Sequence, residues 1–496
     1  MENSLFYLPF SFLFFLLAIK FILPTKPKYK NLPPSPFALP ILGHLHLLKE
    51  PFHRTLHNLS EKYGSVFSLR IGSRLMVVVS SPSAIEECFV ENDVIFANRP
   101  RFSLGEYCGY NYTTIGLVPY GDHWRNTRRI LNIEFLATKR LNMTSDIRTD
   151  EIKNLLRKVY DVSRSGFAKV ELKPLLSELT LNIIMRMMAC TPFSGERARQ
   201  FTELKEEFFS MAVPSYPGDF LPILKWIDYN GFMKKAKWLG REIDAFTQSL
   251  IDQHRSEDKD GSKKDTLIGH LLSLQQSEPE YCTEDTIKGI LQDILIAGTD
   301  TTALTLEWAM SNLLNHPDVL KKAWAELENQ VGPDQLVNEA DLSNLPYLQN
   351  VITETQRLFP AAQLLLAHMS SDYCTIKGYD IPPGTMLLIN AWAMHRDPEL
   401  WEDPTSFKPE RHEQGKEHNK LITFGMGRRA CPGVGLAQRV LGQTLGSLIQ
   451  CFEWEKVDRK DINMVEGTGA SLPKVVPLQV MCKARPLATK VFSKVV

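Results

Sequence analysis

The sequence lacks the features that define several large protein classes. Its 57 lysines and arginines balance 57 aspartates and glutamates, so the chain has no general basic field with which to hold nucleic acid. Eight cysteines are scattered over 496 residues without a C-x-x-C pair, which argues against a disulfide scaffold and a zinc site. Internal repeats and low-complexity tracts are also missing. What remains is a chain with 44% hydrophobic residues, enough to fold around a large core.

One long hydrophobic run stands at the N-terminus. Residues 5–23, LFYLPFSFLFFLLAIKFIL, are almost wholly apolar and match the thickness of a bilayer core. Glu2 precedes the run and three lysines follow it before residue 31, which is typical of a signal anchor with the rest of the chain in the cytosol. A buried terminal helix is the alternative, and apolar side chains on every helical face disfavour it. We predict that residues 1–24 are a single-pass transmembrane anchor.

The remaining sequence predicts one mainly helical α+β domain with small sheets. Residues 25–40 are basic and then proline-rich, so we expect a stiff, extended hinge. From 41 to 496 the composition breaks only at one polar stretch, which favours one domain where the length alone would permit about three. Alternation predicts early strands at 66–71 and 75–79, and helical periodicity dominates residues 146–329.

The most informative stretch is 424–433, FGMGRRACPG, which precedes an apolar helical run. A cysteine thiolate that binds iron needs a loop without bulky side chains, and the N-terminus of a following helix stabilises its charge. The glycines of this stretch allow close backbone approach to Cys431, and Arg429 can meet an anionic group. For a single cysteine, a buried structural role in a glycine-rich turn is the alternative.

These residues resemble the haem-binding loop of the cytochromes P450. Phe424, Gly427, Arg429, Cys431 and Gly433 match every fixed position of that loop, as chance would allow in about one chain in ten thousand. The resemblance implies haem b as the cofactor, with Cys431 as the axial thiolate and metal ligand. It implies that Phe424, Arg429 and Gly433 also contact the haem, and it disfavours the structural alternative.

A second motif, Glu354-x-x-Arg357, places a carboxylate and a guanidinium on one helical face. By itself it means little, because such a pair occurs by chance about once in a chain of this length. By resemblance, Arg411 in the segment FKPERH joins the pair in a buried structural network beneath the haem. His412 stands where many family members have Phe, and we expect this difference to leave the charged trio intact.

A third motif, AGTDTT at 297–302, lies inside an apolar helix predicted for about 287–314. Glycine followed by side chains that compete for backbone hydrogen bonds makes a poor helix interior, which is typical of a functional site. A solvated helix kink is the alternative. By resemblance, Ala297 and Gly298 face the haem and leave room for dioxygen, and Asp300 and Thr301 are the catalytic residues that deliver protons.

Three further residues are expected to seat the haem by resemblance. Trp124 and Arg128 match the family's W-x-x-x-R helix and would bind a propionate. His368 follows the Glu354 helix where other members place a propionate-binding Arg or His. A buried core histidine is the alternative for His368, since Ala367 replaces a common proline.

The sequence also resembles a subgroup, the plant microsomal (A-type) enzymes close to isoflavone hydroxylases and to relatives that act on lignans and terpenoids. The resemblance is carried by NRPRF at 98–102, AWAMHRDP at 391–398 and the 424–433 loop. It places five segments over the haem as substrate contacts: 103–117, 208–217, 290–301, 361–366 and 468–472. These segments are mostly apolar, which suits a hydrophobic ligand.

Within these segments we single out three residues as substrate contacts. Phe208 and Leu365 would supply apolar surface. Asp293 lies on the helical face of Thr301 and would hydrogen-bond a substrate hydroxyl. The alternative for Asp293, which we favour, is an ion pair with a protein Arg or Lys.

The sequence therefore predicts a haem-thiolate monooxygenase that hydroxylates a flavonoid or isoflavonoid, a lignan or a terpenoid. Oxidative ring closure, as a methylenedioxy bridge or phenol coupling, is the alternative. The intact Asp300 and Thr301 disfavour an isomerase or dehydratase, and a membrane-anchored haem sensor or carrier would need no proton delivery. The substrate stays open.

The resemblance also implies partners and a location. Electrons from NADPH would arrive through NADPH-cytochrome P450 reductase, with cytochrome b5 as an optional second donor, on the cytosolic face of the endoplasmic reticulum membrane. Arg125, Arg129, Arg428 and Arg439 would steer an acidic reductase surface, or else be ordinary solvated side chains.

Overall fold

The computed structural model describes residues 29–189, 195–212, 216–257, 266–413, 415 and 420–493. The predicted anchor, residues 1–24, lies outside these ranges. No helix within them combines the length and the apolar character that crossing a membrane requires.

Helices make up most of the described chain, which confirms a mainly helical α+β fold. They are α1 (Phe52–Tyr63), α2 (Pro82–Glu86), α3 (Asp93–Phe96), α4 (Ser103–Cys108), α5 (Asp122–Leu131), α6 (Thr138–Met143), α7 (Ser145–Ser163), α8 (Leu172–Ala189), α9 (Gly195–Met211), α10 (Pro222–Trp226), α11 (Phe232–Glu257), α12 (Leu267–Ser277), α13 (Glu284–Asn315), α14 (Pro317–Gln330), α15 (Pro346–Leu358), α16 (Ala391–Met394), α17 (Val434–Cys451) and α18 (Pro486–Phe492).

The strands are short and form three small sheets. They are β1 (Val66–Ile71), β2 (Arg74–Val79), β3 (Ala168–Glu171), β4 (His368–Met369), β5 (Cys374–Ile376), β6 (Tyr379–Ile381), β7 (Met386–Ile389), β8 (Phe452–Lys456) and β9 (Gln479–Ala484). The two early strands predicted from alternation are confirmed. Strand β3 interrupts the region in which the sequence predicts mostly helices.

The chain divides into two compact units, of which the smaller takes the described residues of Met1–Pro100, Pro217–Tyr229 and Leu366–Asn390. Its main sheet has the order β1-β2-β7-β4, with β1 antiparallel and β7 parallel to β2. The proline-rich segment is bound to this sheet, because the Ser68 amide and hydroxyl donate to the carbonyls of Pro34 and Pro33 at 2.8 and 2.9 Å.

The larger unit comprises the described residues of Arg101–Tyr216, Asn230–Leu365 and Ala391–Val496. Helix α13 runs through its core as one uninterrupted helix, longer by a turn than the sequence predicts. The Thr283 hydroxyl caps its N-terminus by accepting the Thr286 amide at 3.2 Å. Near its other end, Trp308 is fully buried and stacks on Phe359 with ring centroids 4.1 Å apart. These contacts fix the long helix on which AGTDTT lies.

Close packing of α13 against α8 explains Gly298. A Cβ at this position would lie 2.9 Å from Ile184 Cδ1, closer than carbon atoms pack. By resemblance, the sequence predicts that this glycine leaves room for dioxygen. The structure shows a second requirement, because any side chain here would force the Ile184 side chain to move.

Candidate active site

The loop that carries Cys431 is shaped by its glycines. Gly425 and Gly427 have φ values of 71° and 70°, the left-handed region that glycine adopts without a Cβ clash. The Cys431 amide donates to the Phe424 carbonyl at 2.8 Å and closes the loop. Helix α17 begins three residues after Cys431, with Gly433 as its N-terminal boundary residue. A negative charge on sulfur would therefore face the positive end of a helix.

Cys431 differs from the other described cysteines in exposure. It is exposed, whereas the six others that the structure describes are buried, which disfavours the structural alternative for Cys431. Desolvation by neighbouring atoms still raises the pKa of the thiol, while the Gly433 backbone N–H and the Arg128 charge act in the opposite direction. A metal ion would favour the thiolate over the thiol at this position.

Trp124, Arg128 and Arg429 lie together beside this loop. Arg128 donates to the carbonyl of Ala430 at 2.7 Å, and the Arg429 guanidinium lies 4.8 Å from the centre of the Trp124 ring. Burial and repulsion from Arg128 lower the pKa of Arg429 to about 10. Two partly buried guanidiniums beside one loop form a site that attracts an anion, as a haem propionate would be.

The accessible residues of α13 coincide with those that the sequence predicts to face the haem or the substrate. Ala297 is exposed and Asp293, Gly298 and Thr301 are partly exposed, although most neighbouring residues of the helix are buried. The Thr301 hydroxyl donates to the Ala297 carbonyl at 2.9 Å. One face of the central helix is therefore accessible where the sequence places the haem.

The Asp300 carboxylate is bound by two other segments. Lys205 of α9 lies 3.2 Å from Oδ1, and the Ser471 hydroxyl donates to Oδ2 at 2.9 Å. Lys205 is 6% exposed, so this is a buried ion pair. The sequence did not predict either partner, because both come from distant parts of the chain.

Within the described protein, the Asp293 carboxyl contacts a backbone amide and not a cation. No described lysine or arginine forms an ion pair with it, so the interpretation that we favoured from the sequence is wrong. Its Oδ2 accepts the Gly116 amide at 3.3 Å. Desolvation raises the pKa of Asp293 to about 7, although the Gly116 and Ile115 amides lower it. The substrate contact stays a prediction.

The predicted structural network is present around Glu354. Arg357 binds both carboxylate oxygens at 2.8 Å, and Arg411 Nε lies 2.9 Å from Oε1. The Glu354 and Arg357 side chains are 0% exposed. Desolvation raises the pKa of Glu354, but hydrogen bonds from Arg357 and His412, the Arg357 charge and the Lys408 amide outweigh it and bring the pKa to about 2.

His412 is a member of this network. Its Nε2 lies 2.9 Å from Glu354 Oε2, and its side chain is 5% exposed. The sequence predicts only that the difference from Phe leaves the charged trio intact. Its position next to Arg411 could have suggested a further donor, but the direction of the ring depends on the one-turn helix at Pro409–His412.

The remaining predicted contacts are placed as follows. His368 is buried in the smaller unit, with Nδ1 2.7 Å from the Phe96 carbonyl; its cofactor role stays a prediction. Leu365 is 8% exposed, and its Cδ1 lies 4.0 Å from where a Gly425 Cβ would be. Phe208 on α9 is partly buried against the core. Of its segment 208–217, residues 213–215 lie outside the described residues.

The four predicted reductase-facing arginines differ in exposure. Arg125, Arg129 and Arg428 are exposed, and Arg439 is partly buried. Arg439 lies 2.7 Å from Glu339, Arg125 pairs with Asp122, and the Arg428 guanidinium lies 5.5 Å from the centre of the Tyr120 ring. The reductase-facing role of the four arginines stays a prediction.

The residues present fit a haem. They provide an exposed cysteine at a helix N-terminus, two guanidiniums suited to an anionic edge, and an accessible face of α13. Cys431 would hold the iron, and Arg128, Arg429 and Trp124 would hold the propionates. No position in this set carries a side chain that would oppose such a group.

Comparisons with known proteins agree with this chemistry. The family described as Cytochrome P450 matches residues 33–480. Cytochrome P450 81Q32 of Catharanthus roseus is 53% identical, over 95% of each chain. The isoflavone 3'-hydroxylase of Medicago truncatula is 50% identical over 98% of this chain and 100% of its own length. The (+)-piperitol/(+)-sesamin synthase of Sesamum radiatum is 48% identical over 94% and 93%.

The fold is also similar to that of solved cytochrome P450 structures. A solved zebra fish cytochrome P450 with progesterone has a TM-score of 0.76, with 24% identity over 88% of this chain and 100% of that one. At this identity the likeness shows the fold alone. Together with the Cys431 loop and the Glu354 network, these matches show that the chain belongs to the cytochrome P450 family of monooxygenases and is similar over its full length to plant isoflavone hydroxylases.

Proposed function

We propose that this protein is a haem-thiolate monooxygenase that hydroxylates a hydrophobic plant specialised metabolite such as a flavonoid, isoflavonoid, lignan or terpenoid. The exposed Cys431 carries the proposal, because it stands in a glycine-shaped loop before α17 and beside Arg128. The bound haem would supply activation of dioxygen with electrons from NADPH.

The chain's own residues would position the ligand and move protons. Leu365 and Phe208 would exclude water with apolar surface, and Thr301 would hold a proton at Oγ1 on the accessible face of α13. Asp300 would exchange protons with Thr301 after loosening from Lys205 or Ser471. The hydroxylase names of similar proteins support the reaction type.

Oxidative ring closure is the second candidate. It is supported by the similar protein named (+)-piperitol/(+)-sesamin synthase, a synthase and not a hydroxylase. Incubating microsomes that contain the protein and a reductase with panels of flavonoids, lignans and terpenoids separates the two. Products heavier by one oxygen atom indicate hydroxylation, and products lighter by two hydrogens indicate ring closure.

The test of haem ligation is spectroscopic. The reduced protein with carbon monoxide should show a thiolate-ligated spectrum, and Cys431→Ser should lose it. Cys282→Ser is the matched control, because its buried Sγ lies 3.5 Å from the Leu271 carbonyl and a serine hydroxyl can keep that contact. An unchanged spectrum in Cys431→Ser would overturn the proposal.

We also propose attachment to the endoplasmic reticulum membrane through residues 1–24, with the rest in the cytosol. Exposed apolar side chains of the smaller unit support this location. Phe37 and Ile41 are 83% and 61% exposed, and Ile223 and Trp226 are 68% and 88% exposed. The turn after β1 holds both groups, since the Gly72 amide donates to Leu42 and the Ser73 amide to Phe220.

Membrane attachment is tested by flotation with liposomes. The full chain should float and resist carbonate extraction. A chain without residues 1–28 should float weakly, and Trp226→Asp with Phe37→Asp in that shortened chain should abolish flotation. A shortened chain that floats as well as the full chain would contradict the anchor.

The proposed partner is NADPH-cytochrome P450 reductase, with cytochrome b5 as an optional donor. Arg129 and Arg428 support the proposal because they are exposed on or near the elements that hold Cys431. Charge reversal at both residues should slow reduction at low salt, and the difference should shrink at high salt.

A further inference from the structure

Residues 109–118 form a loop whose backbone conformation needs outside support. Tyr110, Asn111 and Tyr112 have φ values of 46°, 53° and 64°, three consecutive non-glycine residues in the left-handed region. Each costs about 1 kcal/mol relative to ordinary backbone. The loop therefore keeps this shape only where neighbouring elements hold it.

The second half of the loop, residues 114–118, is a single turn that no regular helix continues. The Val118 amide donates to the Thr114 carbonyl at 2.8 Å, and the Leu117 amide donates to the same oxygen at 3.0 Å. The amides of Ile115 and Gly116 point out of the turn at its N-terminal end, as the first amides of any helix do. These two donors need an acceptor from elsewhere.

Asp293 supplies that acceptor from α13. Its Oδ2 lies 3.3 Å from the Gly116 nitrogen. The neighbouring Ile115 amide also lowers the pKa of the carboxyl. The carboxyl thus serves the turn as an N-cap side chain would, although it is 177 residues away in sequence. A Cβ on Gly116 would lie 3.7 Å from Oδ1, so the turn rests directly on the carboxyl group.

Arg429 holds the carbonyl side of the same turn. Its guanidinium donates to the Ile115 carbonyl at 3.0 Å and also to the Val118 carbonyl. An acceptor at the amide end and a cation at the carbonyl end both match the polarity of the turn. The turn therefore connects α13 with the loop that carries Cys431.

Two further side-chain contacts lie in the first half of the loop. His123 Nε2 of α5 lies 3.0 Å from the Thr113 carbonyl, and the Tyr110 hydroxyl lies 3.2 Å from the Thr247 hydroxyl of α11. Neither contacts the amides that Asp293 accepts. Asp293 is thus the described side chain that accepts the Gly116 amide of this turn.

We propose that Asp293 is a positioning residue: it fixes loop 109–118 on α13 and, together with Arg429, ties the central helix to the Cys431 loop. Its consequence for ligands rests on the proposed function, because residues 103–117 are expected to lie over the haem. Removing the carboxyl would then loosen a ligand-facing segment and lower affinity without changing the Cys431 ligand.

Hydrogen exchange of the holoprotein tests the positioning role directly. In Asp293→Ala the amides of Ile115 and Gly116 should exchange about tenfold faster, as loss of a hydrogen bond to a carboxylate predicts. Asp285→Ala is the matched control, since it removes an exposed carboxylate from the first turn of the same helix. Unchanged exchange at both amides in Asp293→Ala would overturn the proposal.

A second variant, Asp293→Asn, keeps the test possible if Asp293→Ala folds poorly. Asp293→Asn keeps the size and one acceptor oxygen, so at least one of the two amides should lose protection. Exchange equal to the unaltered protein at both amides would again count against the proposal. Gly116→Ala, whose added Cβ meets only ordinary contacts, should leave exchange of the Ile115 amide unchanged.

Binding of phenylimidazole, followed by its shift of the haem spectrum, tests the consequence. Affinity should fall about threefold or more in Asp293→Ala, with the carbon monoxide spectrum unchanged. Equal affinity in Asp293→Ala and in the unaltered protein would contradict the expected effect of Asp293 on ligand binding. If the unaltered protein shows no thiolate spectrum, the proposed function fails, while the exchange experiment still decides the role of Asp293.

Discussion

The His412 imidazole lies 2.9 Å from the Glu354 carboxylate, Nε2 to Oε2, in a network that also contains Arg357 and Arg411. The acceptor is a carboxylate, so the imidazole donates through Nε2. Two arginines and one glutamate leave a net positive charge in this buried site. The imidazole adds a third side chain to the two arginines that hold the Glu354 carboxylate in this buried site.

The first prediction concerns this contact. His412→Ala should lower the free energy of unfolding by about 2 kcal/mol, the typical loss for a hydrogen bond to a buried charge. His412→Phe should lose less, because a phenyl ring keeps the contact with Trp401. Urea unfolding measures both. His46→Ala, at an exposed position, is the control, and an equal loss there would contradict the role of His412.

The second prediction is a pH dependence from Glu354. Its pKa is lowered in the folded protein from 4.5 to about 2, so the folded state favours the ionised form. The stabilisation is complete above pH 4.5 and is lost as the pH falls toward 2. The shift corresponds to about 3 kcal/mol. Urea unfolding between pH 2 and 5 should show this loss, and Glu354→Gln should show a smaller slope in that window.

The third prediction concerns proton delivery. Thr301→Ala should release more peroxide per NADPH and form less product, because the variant lacks the Oγ1 proton. Thr305→Ala is a matched control, since its hydroxyl makes the same contact with the carbonyl four residues earlier, at 2.8 Å. Product formation as tightly coupled to NADPH in Thr301→Ala as in the control would remove Thr301 from the proposed relay.

The fourth prediction is the energy of the Lys205 and Asp300 ion pair. A double-mutant cycle with Lys205→Met and Asp300→Asn should give a coupling energy of about 2 kcal/mol, as expected for a buried pair. Lys235 and Glu207 form a more exposed pair on α11 and α9, at 51% and 27%, whose coupling should stay below about 1 kcal/mol. Thermal unfolding measures both cycles, and equal coupling energies would contradict burial of the Lys205 pair.

The fifth prediction is steric. Gly298→Ala should destabilise the protein by about 1 kcal/mol or more, because its Cβ meets Ile184 Cδ1. Ile184→Val removes that atom and should restore part of the loss in the double variant. Gly435→Ala in α17 is the control, since its Cβ would lie 3.5 Å from Leu141 and should be tolerated. A tolerated Gly298→Ala would show that dioxygen alone explains this glycine.

Features that depend on residues close together along the chain could be predicted from the sequence. The 424–433 loop, the Glu354 and Arg357 pair and AGTDTT are local patterns, and the α-helical period or a glycine requirement fixes their geometry. Alternation likewise located β1 and β2, since side chains of a strand point to opposite faces in turn. These features were sufficient to indicate the family and its chemistry.

Contacts between groups that are distant along the chain became visible only in the folded protein. Lys205 and Ser471 lie 95 and 171 positions from Asp300, and no local period predicts that they bind it. Asp293 accepts the Gly116 amide and pairs with no described lysine or arginine, because the fold lays the 114–118 turn against α13. A buried carboxylate takes whichever donors packing brings within reach, and packing is a property of the whole chain.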